Sequence, residues 1–82
     1  MEDKALVTQL ARVLGSSTDK TVLAVACNDI GVLVREIPYL RKRWVDLGVK
    51  GRVMELMGDT DPEVRYEALK AVQGFLQTAF SG

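Results

Sequence analysis

Eighty-two residues, 48% of them hydrophobic and 27% charged, make at most one globular domain with a thin stability margin. Eleven basic residues balance eleven acidic ones, which leaves no global field to draw the chain onto nucleic acid or an anionic membrane. The chain has no histidine and one cysteine, Cys27, which excludes the usual neutral-pH acid/base, an intrachain disulfide and a cysteine-based zinc cage. A small buried hydrophobe inside a helix is the expected role of Cys27, and a reducing setting is compatible with it. Residues 1–4 are charged and polar and carry no targeting pattern. The longest apolar run, residues 22–34, is broken by Asn28 and Asp29 and is shorter than the roughly 20 residues a membrane-spanning helix needs.

Helical periodicity runs through the chain. Ala5, Leu6, Leu10, Val13 and Leu14 recur at spacings of three and four and predict a first helix over residues 5–14, ended by the stretch Gly15, Ser16, Ser17 and Thr18, a C-terminal glycine followed by capping side chains. A second helix is expected over 19–35, acidic at its start and basic at its end as the helix dipole favours. Pro38 stops it and can open the next helix at its first position. A third helix over 39–47 then ends at Gly48, and a fourth over 50–57 ends at Gly58. The clearest start signal is Asp61 as N-cap with Pro62 at the first helical position and Glu63 in the first turn. That fifth helix continues to residue 79. Val64, Ala68, Ala71, Val72, Phe75 and Ala79 form its apolar face, with Glu63, Tyr66, Glu67, Lys70, Gln73 and Gln77 opposite. No segment competes as a β-strand.

Sliding the chain by 42 residues lays it on itself. Asp19 falls on Asp61, Val22 on Val64, Ala26 on Ala68, Ile30 on Val72 and Val34 on Leu76, with a short helix and a glycine before each cap. A unit of about 40–47 residues with this content is of the armadillo/HEAT kind. The expected fold is therefore all-α: a right-handed superhelical solenoid of about two armadillo/HEAT-type repeats and about five helices. The first repeat is placed at residues 5–36 and the second at 38–80, within a single domain over residues 1–82. Since about three repeats are usually needed for stability, two of them ending at Phe80, Ser81 and Gly82 read as the end of a longer array.

No catalytic constellation is visible. Asp59, Asp61 and Glu63 are explained by capping and turn solvation, and Ser16, Ser17 and Thr18 lack a base. The segment 48–51 is glycine-rich but lacks the phosphate-loop pattern and its preceding strand. The chain is therefore not expected to be an enzyme, and no cofactor or metal is expected. Two surfaces are candidates for partner contact. One is the basic stretch 35–52, with Arg35, Arg41 and Arg43 as contact residues and Trp44 as a core anchor between repeats. The other is the polar side of the long helices, where an armadillo-type groove would present Asn28, Arg35, Glu67 and Lys70. Asp29, in mid-helix between apolar neighbours, is expected to pair with a basic side chain or to bond a turn of the adjacent repeat.

A more specific resemblance is carried by residues 22–31, by Val34, Arg35, Glu36, Ile37 and Pro38, and by residues 64–73. In order and spacing these segments resemble the C-terminal domain of the H subunit of the vacuolar-type proton ATPase, over about residues 18–80. The end of the fifth helix, Thr78, Ala79 and Phe80, resembles fungal members in particular. Val49 departs from a second glycine often found after the one at Gly48, and residues 39–44 are less family-like. The resemblance implies a regulatory subunit without chemistry of its own, coupling ATP hydrolysis to proton transport and inhibiting hydrolysis by the released peripheral sector. Its implied partners are other subunits of that ATPase, in the peripheral sector and in stator or rotor elements, with no nucleic acid and no membrane insertion. Its implied place is the cytoplasmic face of the vacuolar or another endomembrane. The competing expectation is a generic armadillo-type adaptor with a peptide or protein partner in its concave groove.

Overall fold

The computed structural model describes residues 3–81, so the outermost ends of the expected domain, residues 1, 2 and 82, lie outside the described residues. Five α-helices follow in order: α1 (Asp3–Ser16), α2 (Lys20–Glu36), α3 (Arg41–Asp46), α4 (Val49–Leu56) and α5 (Pro62–Ser81), with a 3₁₀ turn at Pro38–Leu40 between α2 and α3. The described residues contain no β-strand. The all-α expectation holds, and the helix ends can be explained residue by residue.

Asp19 caps α2 by accepting from the Val22 backbone N–H at 3.1 Å. Asp61 does the same for α5, where one carboxylate oxygen accepts from Glu63 N at 2.8 Å and Val64 N at 3.1 Å. Pro38 opens the 3₁₀ turn rather than an α-helix, so the expected third helix splits into that turn and the short α3. The glycine corners divide. Gly48 takes the left-handed conformation at φ 78°, and it is the only described residue shown with positive φ. α1 ends at Ser16, within the expected stretch 15–18, with the Ser16 hydroxyl donating back to Arg12 O at 2.7 Å.

The core is one cluster to which every helix contributes. Val7 and Leu14 come from α1, Leu23, Ala26, Cys27, Ile30 and Val34 from α2, and Val53 and Leu56 from α4. Val64, Ala68, Ala71 and Phe75 come from α5, around the fully buried Trp44 of α3. Trp44 is thus the anchor its sequence position suggested, and Cys27 is buried as expected. The α5 pattern shifts slightly from the expected one. Ala79 is exposed, Val72 is half-buried, and Gly74 replaces them on the packed side.

The most extensive helix contact in the molecule is α2 against α5. Lys20 meets Asp59, Gly31 meets Ala71, Val34 meets Gly74 and Arg35 meets Gln77. Both numbers rise together, so the two helices run parallel. The separations of 39 to 42 residues are the self-match of the sequence turned into packing. Equivalent helices of successive units lie side by side, which is what a helical-repeat array does.

Candidate functional site

The surface built by the two long helices has two different ends. Toward their C-termini the seam is closed by small residues. A Cβ on Gly31 would lie 3.2 Å from Ala71 Cα, and one on Gly74 would lie 2.8 Å from Val34 Cγ1. Guanidinium groups then fasten the outside. Arg35 Nη2 donates to Lys70 O at 2.8 Å and its Nε to Gln77 Oε1 at 3.4 Å. Arg41 Nε donates to Phe75 O at 3.2 Å. Elsewhere Arg52 Nε donates to Leu14 O at 3.1 Å, where it satisfies a last-turn carbonyl of α1. The structure thus gives Arg35 and Arg41 intramolecular work on the backbone of α5.

Toward the N-termini the same seam is open. A hollow of about 340 Å³ is lined by Lys20, Thr21, Ala24, Val25, Asp61 and Glu63. It adjoins a smaller one of about 150 Å³ lined by Ala24, Val25, Asn28, Glu63 and Glu67. Asn28 and Glu67, both flagged by the sequence, therefore come together. Glu67 is not on a free outer face: its side chain is 14% exposed, and Oε1 is buried without a hydrogen-bond donor. Its ion-pair partner is Lys70, with Nζ at 3.5 Å, and that ammonium also lies 5.2 Å from the centre of the Tyr66 ring. Arg43 stands apart on α3, half-buried, with Nε enclosed and unpartnered beside an equally unpartnered Trp44 Nε1.

The other charges are distributed by short-range chemistry. Lys20 Nζ donates to both oxygens of Asp59, at 2.9 and 3.0 Å. The Asp61 backbone N–H and this lysine hold the Asp59 carboxyl below its usual range. Burial, reinforced by the Glu67 carboxylate, pushes the Cys27 thiol up to about 11. Asp29 departs from expectation. It is exposed, makes no ion pair among the described residues, and borders an apolar hollow of about 260 Å³ with Leu6, Leu10, Val32 and Leu33. The side chains that α1 brings to that hollow, Leu6 and Leu10, are apolar and offer no basic partner. Sequence reasoning also missed the Lys20–Asp59 contact, because two charges 39 residues apart carry no local pattern. Among the described residues, no group of three or more Cys, Asp or Glu could hold a metal ion, and no helix is long and apolar enough to cross a membrane.

Stacked equivalent helices, a single shared core and an open polar seam define an all-α helical-repeat domain. The sequence model of the V-ATPase H-subunit family matches residues 1–80, and the chain belongs to that family. It is 47% identical over 68 residues to the V-type proton ATPase H subunit of Drosophila melanogaster, covering 83% of this chain and 14% of the fly protein. It is 43% identical over 68 residues to a probable V-type proton ATPase H subunit of Caenorhabditis elegans, covering 83% and 15%. It is 39% identical over 71 residues to the probable V-type proton ATPase H subunit of Oryza sativa subsp. japonica, covering 87% and 16%. The chain thus spans about one seventh of the length of these relatives.

Proposed function

We propose that the chain acts as a regulatory part of a V-type proton ATPase, coupling ATP hydrolysis to proton transport and inhibiting hydrolysis by the released peripheral sector. The observation that carries this reading is the family match over residues 1–80. The geometry supports a mechanical mode of action. In this reading the two repeats, residues 5–36 and 38–80, act as one rigid body, which the close approach of α2 and α5 at Gly31 and Gly74 supports. A rigid body docked on two elements that must move past each other stops that movement without chemistry of its own. In this reading the partners are other subunits of the ATPase, in its peripheral sector and its stator or rotor elements. The protein then sits at the cytoplasmic face of a vacuolar or other endomembrane as a peripheral component. Asn28, Glu67, Lys70 and Arg43 are the contact residues, while Arg35 and Arg41 hold the docking body together.

The test is an ATPase measurement on released peripheral sector from which the H subunit has been removed. Added chain is expected to lower the hydrolysis rate in a saturable way, and Lys70→Glu or Arg43→Glu is expected to weaken that effect. An unchanged rate at saturating concentration sinks the proposal.

A further inference from the structure

We infer that the chain associates head to tail with further copies of itself, the outer face of α5 in one copy seating on the outer face of α2 in the next. How copies meet is independent of what the chain does to ATP hydrolysis, so this stands apart from the regulatory reading.

Each long helix has a stripe that the other does not cover. On α2 it is Val22, Val25, Asp29 and Val32, and on α5 it is Tyr66, Leu69, Gln73 and Leu76. The six apolar and aromatic members are between 40% and 59% exposed, and Asp29 and Gln73 are exposed as well. Both stripes step by three, four and three residues, which keeps each on one side of its helix, and both carry a single polar residue in third place. Shifted by the 42-residue repeat, the α5 stripe falls on Ala24, Cys27, Gly31 and Val34, which α2 buries. The α2 stripe falls on Val64, Glu67, Ala71 and Gly74, of which Glu67 is half-buried and the others are buried. Each free stripe sits two residues from its buried counterpart, about 200° around the helix. The two sides of the internal α2/α5 joint are thus displayed again, one on each outer side of the helix pair.

The internal joint also sets the register. Within the chain Gly31 lies on Ala71 and Val34 lies on Gly74. Carried through the repeat, Gln73 of one copy lies on Asp29 of the next, and Leu76 lies on Val32. The Asp29 carboxylate and the Gln73 amide bond nothing among the described residues, so the amide can donate to the carboxylate across the contact. Each stripe also borders a hollow that a neighbour can enter. The one beside α2, about 260 Å³, is walled by Leu6, Leu10 and Leu33, and the one beside α5, about 500 Å³, by Met57, Pro62 and Arg65. Leucine and valine stand where the internal joint has glycine and alanine. Copies therefore sit farther apart than α2 and α5 do, and their association is the weaker of the two.

Other occupants match these faces less well. A lipid surface would strip water from Asp29 without offering it a donor. An extended peptide presents side chains at alternate positions, not at the three-and-four steps of a helix. The two faces are different surfaces, so the contact is heterologous. Copies add in a row rather than stopping at two.

Light scattering on the whole chain tests this, in a concentration series up to about 1 mM, where a weak interface is populated. The weight-average mass is expected to rise with concentration past that of two chains. Val32→Glu blocks the α2 face and Leu76→Glu blocks the α5 face. Each is expected to weaken association by about tenfold or more, because the new carboxylate loses water against an apolar neighbour. Mixed in equal amounts, the two variants are expected to form a dimer that grows no further, since each keeps the face the other lacks. Lys42→Gln, on the exposed side of α3 and in neither stripe, is expected to change nothing. Circular dichroism shows that each variant keeps its fold, and Val25→Glu or Leu69→Glu serves should either blocking variant unfold. The mass of one chain at every concentration, a plateau at two chains for the unaltered protein, a mixture no larger than either variant alone, or equal weakening by Lys42→Gln would each overturn the inference.

Discussion

The two halves of the α2/α5 seam are made from the same pair of parallel helices, yet they differ in what their side chains permit. At Gly31, Ala71 and Gly74 the missing or minimal side chains let one helix settle against the other, and arginines on the outside bond α5 carbonyls. Earlier along α2, Thr21, Val25 and Asn28 face Glu63 and Glu67 across a hollow. A helix pair can thus be a hinge-free joint at one end and a receptive surface at the other, with residue size at a few positions deciding which. The joint should respond to changes of volume, and the open end should not.

The largest expected effect is at the closed end. Phe75, fully buried there, should cost about 3–5 kcal/mol when cut to alanine, by lost burial and the cavity left behind. Urea denaturation followed by circular dichroism reads it, and a loss under about 1 kcal/mol would remove the asymmetry between the ends. Next comes Gly74→Ala. The new Cβ at 2.8 Å from Val34 Cγ1 should cost about 1–3 kcal/mol by overpacking, against at most about 1 kcal/mol gained in helix propensity. Its companion at the open end, Val25→Ala, should change stability by less than about 0.5 kcal/mol. Equal effects at the two positions would show that the hollow is filled in solution.

A cap at the mouth of the groove comes third. Asp61→Ala should lose about 1 kcal/mol with the two backbone hydrogen bonds it accepts, while Asp61→Asn or Asp61→Ser should restore most of the loss. The remaining effect is one of pH. The Cys27 thiol has its folded value raised from 9.0 to about 11, so an unfolded chain releases its proton first as pH rises. The contribution of that thiol to stability is therefore full below about 9 and falls away between about 9 and about 11. Denaturation midpoints at the two ends of that window should drop for the natural chain and drop less for Cys27→Ala.

How much of this was legible in the sequence depends on whether the cause was local. Asp61, Pro62 and Glu63 announced the start of α5 because capping is settled within four residues. The self-match announced the parallel seam, because a repeat that cannot cover its own apolar face must lie on the next one. The stretch 15–18 likewise announced the end of α1, which stops at Ser16. The polar candidates were harder. Arg35, Arg41, Glu67 and Lys70 have the composition of a free face; only tertiary placement shows the two arginines bonding α5 carbonyls, whereas Glu67 and Lys70 pair locally, three residues apart on one helix. Asp29 had the opposite fate, with no described partner where a pair was expected.

The parallel register also bears on how the chain reaches this state. The contacts across the seam join residues 35 to 42 positions apart, about half the chain, so no part of it can form from neighbours in sequence. A helical hairpin zips from its turn outward. Here a loop must first close at an entropic cost that ordinary antiparallel bundles of this size avoid, and the glycines at the joint add no local preference that would hurry it. Synthesis from the N-terminus leaves the inner face of α2 uncovered until α5 has been made, so folding should be slower than helix content alone suggests and should set in late.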